Sequence, residues 1–284
     1  MVGKADLHIH SICSDGTLSP QEIIKKACKA GLQAISITDH DNIDAIEPAM
    51  TFCKQCALEF IPGIEISSEY EKNEVHFLGY FFDHRHKILN EYVQYFQNER
   101  KKRARKILEQ LRKMGMKIGL ELVLQKTAHH GSICRPHIAH VLVEEGYVHS
   151  YQEAFYKYLG ANCPCYVPKY KIEPAEAIKI INQAGGISFI AHPGLALKEY
   201  SILKLIELGI EGIETVHPRH STDDIEYYRK LIQKYDLLEC GGSDFHDNRK
   251  QNSIFGKYTV PYDVIIKMKK WLSSKRKDNT GGIL

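Results

Sequence analysis

Polar and apolar positions alternate along the first residues of this chain. Ala5, Leu7 and Ile9 interleave with Asp6, His8 and His10, and this period of two predicts a strand over 4–10. Residues 19–30 then switch to helical spacing. Ser19 stands at the N-cap, Pro20 in the first turn, Glu22 at the third position and Gly31 at the stop. A strand over 33–38, a helix over 43–57 and strands over 60–66 and 75–82 follow. Residues 87–126, 136–146 and 150–159 read as helical, with no strand signal among them. The strand–helix rhythm resumes after Pro168, with helices over 174–184, 200–208, 223–235 and 261–273 and strands over 187–191, 210–215 and 237–241. Strands alternating with helices imply an α/β chain built on a parallel sheet or barrel. The expected division is a catalytic barrel from 1–86 and 168–275, a helical insert over 87–167 covering the site, and a flexible tail over 276–284. That tail closes a polar, glycine-rich stretch that begins at Ser274.

Composition narrows the class. The 284 residues carry 38 Lys and Arg against 35 Asp and Glu, a net charge of +3. So mild a charge excludes a histone-like or polybasic nucleic-acid binder, and 43% hydrophobic residues exclude a disordered chain. No signal peptide is visible after Met1, and no apolar run approaches the roughly 18 residues of a membrane span. A cytoplasmic location with reduced cysteines is expected. Cys53 and Cys56 form a CxxC inside a helical pattern, and Cys163 and Cys165 flank Pro164. All eight cysteines are read as non-catalytic.

The 15 histidines direct attention to metal chemistry. His8 and His10 lie two apart on a strand, so their side chains share a face. Asp15 follows in a Ser-Asp-Gly turn, and His40 closes the second strand. Glu65 ends the third, His76 lies on the fourth, and His192 follows the fifth. Asp244 and His246 follow the last. In a parallel βα barrel these strand ends converge on one pole. Nine imidazoles and carboxylates without a thiolate suit Mn, Zn or Fe. Nine ligands exceed the needs of one ion. A shared carboxylate such as Glu65 could bridge two ions about 3.5–4 Å apart, the arrangement that clamps the attacking and leaving oxygens of phosphoester hydrolysis.

These residues resemble the PHP family (polymerase and histidinol phosphatase). The resemblance rests on Asp-Leu-His-Ile-His-Ser with Ser-Asp-Gly, Ile-Thr-Asp-His-Asp, Pro-Gly-Ile-Glu, His-Phe-Leu-Gly-Tyr, Arg-Pro-His-Ile-Ala, Ala-His-Pro-Gly and Gly-Ser-Asp-Phe-His, spread in order over residues 6–246. It implies a distorted (β/α)7 barrel with two or three divalent ions. His8, His10, Glu65 and Asp244 are the expected ligands of the first ion. Glu65, His76 and His192 would hold the second, and Asp15, His40 and His246 the third. The insert resembles that of nucleotide-directed phosphoesterases, some of which remove the 3′-phosphate of nucleoside 3′,5′-bisphosphates while others degrade short 5′-phosphorylated RNA. Arg135 and His137 match a stretch that binds substrate phosphate there, and Lys169 occupies a position of polar substrate contacts. Cys134 departs from a frequent glycine, and the segment from Glu214 to His220 departs from a shorter turn.

The expected mechanism is in-line attack by a metal-bridging hydroxide. Arg135 neutralises the phosphoryl oxygens, and His217 protonates the leaving group or contacts substrate. His220 is a weaker candidate for the same role. Asp39 is read either as orienting a ligand or as capping a strand end. His84, His86, His129, His130, His140 and His149 are expected outside the site. The basic run Arg100, Lys101, Lys102, Arg103, Arg105 and Lys106 reads as a solvated helix face, or alternatively as a guide for a nucleic-acid backbone. Tyr151, Phe155, Tyr156 and Tyr158 are expected in the insert core. The expected partner is a small phosphate ester, a nucleotide or short RNA, with neither a membrane nor an obligate protein partner. Histidinol phosphate is the alternative substrate, and a non-catalytic metal-binding domain the alternative of another class.

Overall fold

The computed structural model describes residues 3–127, 132–195, 197–246 and 254–280. His129 and His130 lie outside them. The elements run β1 (Lys4–Asp6), α1 (Pro20–Lys29), β2 (Ala34–Ile35), α2 (Ile46–Cys53), β3 (Glu59–Phe60), β4 (Gly63–Tyr70), β5 (Asn73–Tyr80) and α3 (Lys87–Lys113). Then come α4 (Leu120–Leu124), α5 (Arg135–Glu144), α6 (Tyr151–Ala154), α7 (Pro174–Gln183), β6 (Ile187–Ile190), α8 (Glu199–Glu207), β7 (Gly212–Val216), α9 (Thr222–Tyr235), β8 (Leu238–Gly241), β9 (Val260–Pro261) and α10 (Asp263–Thr280). The capping box at Ser19 forms as its sequence requires, with Ser19 and Glu22 bonding reciprocally.

The fold is mixed α/β. One sheet has the order β3-β2-β1-β9, the other β4-β5-β6-β7-β8. The wholly parallel pattern expected from the sequence does not hold, because β4, β5 and β6 pair antiparallel. Glu71 and Lys72 join β4 to β5 with φ of 51° and 67°. Two left-handed residues make the tight hairpin whose twist matches its strands. The usual glycine is absent, so the turn carried no signal. Backbone bonds link the two sheets just beyond the ends of β1 and β2. Leu7 N–H reaches Gly241 O (3.1 Å) and His10 N–H reaches Phe245 O (2.9 Å). On the other side His40 lies opposite Glu65, and Asp41 N–H donates to Glu65 O (2.9 Å). Gly242 is required at the first junction, since a Cβ there would stand 2.3 Å from His8 N.

Helix α3 serves two cores. Leu89, Tyr92, Val93 and Phe96 pack with the β4–β7 sheet and α7, whereas Ala104, Ile107, Leu108 and Leu111 pack with α5. Gly115, at φ 89°, follows its end, so the helical stretch expected over 87–126 divides into α3 and α4. Four local expectations change. Arg100 is buried rather than part of a solvated face. Tyr156 is 84% exposed rather than core, because Phe155–Leu159 winds as a π-helical turn that shifts the register. Helix α2 ends at Cys53, so Cys56 lies beyond it, its thiol 2.7 Å from that of Cys28. The last helix continues to Thr280 instead of ending near 273. No helix among the described residues is long and apolar enough to cross a membrane.

Candidate metal centre

All nine expected ligands come together where the two sheets meet. Glu65, at the start of β4, is the hub. Its Oε1 lies 2.7 Å from His76 Nδ1 and 3.0 Å from His192 Nε2. Its Oε2 lies 3.1 Å from both His10 Nε2 and His40 Nδ1 and 3.4 Å from His8 Nε2. Asp244 Oδ1 stands 3.1 Å from His10 Nε2 and 3.4 Å from His8 Nε2. Asp15 faces His246 (3.3 Å), His10 (3.8 Å) and His40 (3.9 Å). Ligand atoms of His10, Asp15, His40 and His246 all fall within 4.8 Å of one another, as do those of His8, His10 and Glu65 and those of His40, Glu65 and His76.

The donor set fits divalent cations. His8 Nε2, His10 Nε2, Asp15 Oδ1, His40 Nδ1 and Glu65 Oε2 are buried and make no hydrogen bond. Orphaned buried polar atoms are costly unless a ligand satisfies them, and these belong to one cluster. Burial disfavours the ionised form of Glu65, yet the imidazoles of His40, His76 and His8 outweigh it and hold the carboxyl well below its ordinary range. Burial likewise opposes charge on His10, but the nearby carboxylates of Asp244 and Glu65 prevail and push it up to about 10. His40 moves the other way, down to about 3, chiefly through burial. A divalent cation held here would require these imidazoles in their neutral form.

Three residues hold these ligands in place; the sequence singles out Asp39 but not Glu214 or Asp6 for such a role. Glu214, on β7, places Oε1 2.9 Å from His8 Nδ1 and accepts the backbone N–H of His192 at Oε2 (2.6 Å). It therefore fixes the His8 tautomer with Nε2 facing the cluster, and it braces His192, whose φ is 27°. Asp6 accepts the N–H of Ser243 (2.9 Å) beside Asp244, itself at φ 47°. Asp39 does not touch His40. It accepts from Ser11 N (2.7 Å), Ser11 Oγ (2.6 Å) and Ser14 Oγ (2.5 Å), and so anchors the loop that leads to Asp15. A charge in mid-strand beside Ile213 was the available signal for Glu214.

The substrate candidates are placed unevenly. His217 joins the cluster, with Nε2 3.3 Å from Asp244 Oδ2. Its Nδ1 accepts the N–H of Arg219 (3.2 Å), so the neutral ring carries its proton on Nε2. His220 packs against the His217 ring and donates Nδ1–H to Thr215 O (2.8 Å). Lys169 meets Glu74 (3.1 Å), which also meets His76 Nε2 (3.1 Å). Arg135 opens α5, donates to Leu159 O (3.1 Å) and lies over the rings of Phe155 and Tyr166. The segment before α5 is tied to the Asp15 loop by Ser132 N–H and Cys13 O (2.9 Å). His84 pairs with Glu47, and His140 rests against Tyr151; neither joins the cluster.

His137 is buried and accepts the N–H of Cys134 at Nδ1 (3.0 Å). Burial lowers its pKa to about 4. Between that value and the ordinary 6.5 the unfolded chain takes a proton that the folded one refuses, so stability falls as pH falls through this window. In metal-free protein, denaturant titrations should show the wild type losing about 3 kcal/mol more than His137→Gln between pH 6.5 and 4. Parallel losses would place the buried proton-refusing group elsewhere.

The PHP domain model matches residues 6–160. The chain is 34% identical over 251 residues to a 5′-3′ exoribonuclease of Haemophilus influenzae, covering 87% of this chain and 91% of that one. It is 31% identical over 250 residues to a 3′,5′-nucleoside bisphosphate phosphatase of Chromobacterium violaceum, covering 86% and 88%. A solved structure from Bifidobacterium adolescentis, assigned as a metal-dependent phosphoesterase, superposes with a TM-score of 0.84 at 27% identity over 93% of this chain and 94% of that one. The chain belongs to the PHP family and is a metal-dependent phosphoesterase, a hydrolase of phosphoric ester bonds.

Proposed function

We propose that this chain hydrolyses a phosphate ester of a nucleotide, either a nucleoside 3′,5′-bisphosphate or a short 5′-phosphorylated RNA. The observation that carries this reading is the cluster of buried, hydrogen-bond-free ligand atoms around Glu65, tied through Ser132 and Cys13 to the start of α5. His8, His10, Asp15, His40, Glu65, His76, His192, Asp244 and His246 would hold two or three ions of Mn, Zn or Fe. The ions would supply an acidified water and neutralise charge on the phosphoryl oxygens. The backbone bonds between the two sheets at Leu7–Gly241 and Asp41–Glu65 support a distorted (β/α)7 barrel, made of 1–86 and 168–275 with the insert over 87–167.

The chain's own groups take the remaining roles. Arg135 binds a substrate phosphate through its fork. Arg103 assists: its Nε donates to Val167 O (2.8 Å), and it has no carboxylate partner among the described residues. Burial, with Arg135 and Arg100 close by, brings Arg103 down to about 10. His137 and Lys169 would supply further polar contacts to the substrate. His217 offers Nε2–H to the departing oxygen. The names of the relatives from Haemophilus and Chromobacterium favour nucleotide phosphates.

Mn²⁺-dependent phosphate release from adenosine 3′,5′-bisphosphate tests this, with AMP in parallel and chelator as control. Release from the bisphosphate alone is expected. Short 5′-phosphorylated RNA then ranks the two substrates. Release from histidinol phosphate and from none of these would replace the reading. Metal binding without turnover of any of them would favour a non-catalytic domain.

A further inference from the structure

We propose that Arg100 is a positioning residue that sets the phosphate-binding start of α5 against the His40 side of the metal cluster. The inference rests on the reading of Arg135 as a phosphate ligand. Arg100 lies midway along α3 and is only 5% exposed, although Lys101, Lys102, Arg105 and Lys106 around it face solvent. One arm of its guanidinium pairs with Asp41 Oδ2, and the other donates to Cys134 Sγ (3.1 Å).

Each contact reaches a different part of the site. Asp41 follows His40 and has φ 49°. It is locked by Ser67 N–H (2.7 Å), Ser67 Oγ (2.8 Å) and Tyr92 OH (2.6 Å), and Ser67 lies two residues beyond Glu65 on β4. Cys134 is the N-cap of α5. It immediately precedes Arg135, and its N–H is held by His137. One rigid planar group thus spans from the backbone register of His40 and Glu65 to the helix start that carries Arg135 and His137.

Stability alone does not account for the second arm. A thiol is a weak acceptor, and a buried guanidinium gains little from it. The fork geometry does what a point charge cannot: it fixes both distance and orientation between its partners. The separation between the reacting phosphorus and the phosphate held by Arg135 would then be set by Arg100, and with it the preference for a substrate bearing two phosphates.

Arg100→Lys keeps the charge opposite Asp41 but loses the fork, and Cys134→Ala removes the second acceptor alone. With Mn²⁺ loaded, Arg100→Lys should retain its metal and most of its turnover of p-nitrophenyl phosphate. Its KM for adenosine 3′,5′-bisphosphate should rise about tenfold or more, because small misplacements of a positioned group are costly. Cys134→Ala should shift KM in the same direction, and the double variant should add nothing beyond Arg100→Lys. Equal losses on both substrates, metal loss, or independent effects of the two substitutions would overturn the proposal. Hydrogen exchange gives an arm free of activity: both variants should speed exchange over 132–139 and leave the β4–β5 hairpin unchanged. Unchanged exchange over 132–139 would overturn the strut whatever the substrate. The expected exchange in a protein whose wild type ignores the bisphosphate would instead overturn the substrate reading and leave the strut in place.

Discussion

Glu65→Gln should leave the chain folded and remove turnover, with kcat falling on the order of 10³-fold. One carboxylate faces five imidazoles, those of His76 and His192 at Oε1 and those of His8, His10 and His40 at Oε2. The amide keeps the shape but loses the charge, and one of its oxygens becomes a donor pointed at ring nitrogens that need an acceptor or a cation. A bridging role cannot survive that change, so at least one equivalent of metal should be lost by elemental analysis. The comparison has a pH arm. Because the folded-state pKa of Glu65 is depressed, its contribution to metal-free stability is present above the ordinary carboxyl range and is lost as pH falls through the folded value. Glu65→Gln should flatten the acid limb of the wild-type stability profile. Full metal content with turnover within about tenfold of wild type would remove Glu65 from the hub.

Much of this centre was legible because strand periodicity is a local property. His8 and His10 share a face through a spacing of two, and the other ligands read as neighbours of strand ends gathered at one pole, although Glu65 proves to open β4 and His76 to lie within the antiparallel β5. Their partners were not legible. Glu214 meets His8 from 206 residues away, and Arg100 meets Asp41 from 59 away. No local pattern encodes such distances. The run of cations around Arg100 looked uniform as sequence, but α3 turns about 100° per residue, so one member of a charged run can face inward. Pairing direction failed for a related reason. Glu71 and Lys72 adopt left-handed backbone without glycine, so the β4–β5 hairpin looked like a longer connection between parallel strands. The strand ladders also proved shorter than the alternating pattern. Only Lys4–Asp6 forms regular strand in β1, and beyond it Leu7, Ile9 and His10 keep single backbone bonds to Gly241, Thr38 and Phe245.

Asp41→Ala should destabilise the protein by about 3–5 kcal/mol, the usual result of stranding one half of a buried ion pair. The alanine leaves the Arg100 guanidinium without its counter-ion. It also removes the acceptor of Ser67 N–H, Ser67 Oγ and Tyr92 OH, all in the same buried space. Burial pushes the Asp41 carboxyl up, but Arg100 and Lys169 outweigh it and hold the carboxyl well below its ordinary value. The stabilisation is therefore complete above the ordinary carboxyl range and is lost as pH falls toward the folded value, so the penalty measured at pH 7 should shrink in acid. Asp41→Asn discriminates between charge and hydrogen bonding, since it keeps one carbonyl acceptor while losing the charge. Asp41→Ala combined with Arg100→Met should recover part of the loss, because the unpaired charge is then gone. Chemical denaturation of these variants with metal removed isolates the fold from the site. A double variant no more stable than Asp41→Ala would mean that the cost lies in the orphaned hydroxyls and amide of β4 and α3, and the ion pair would then matter for placement more than for stability.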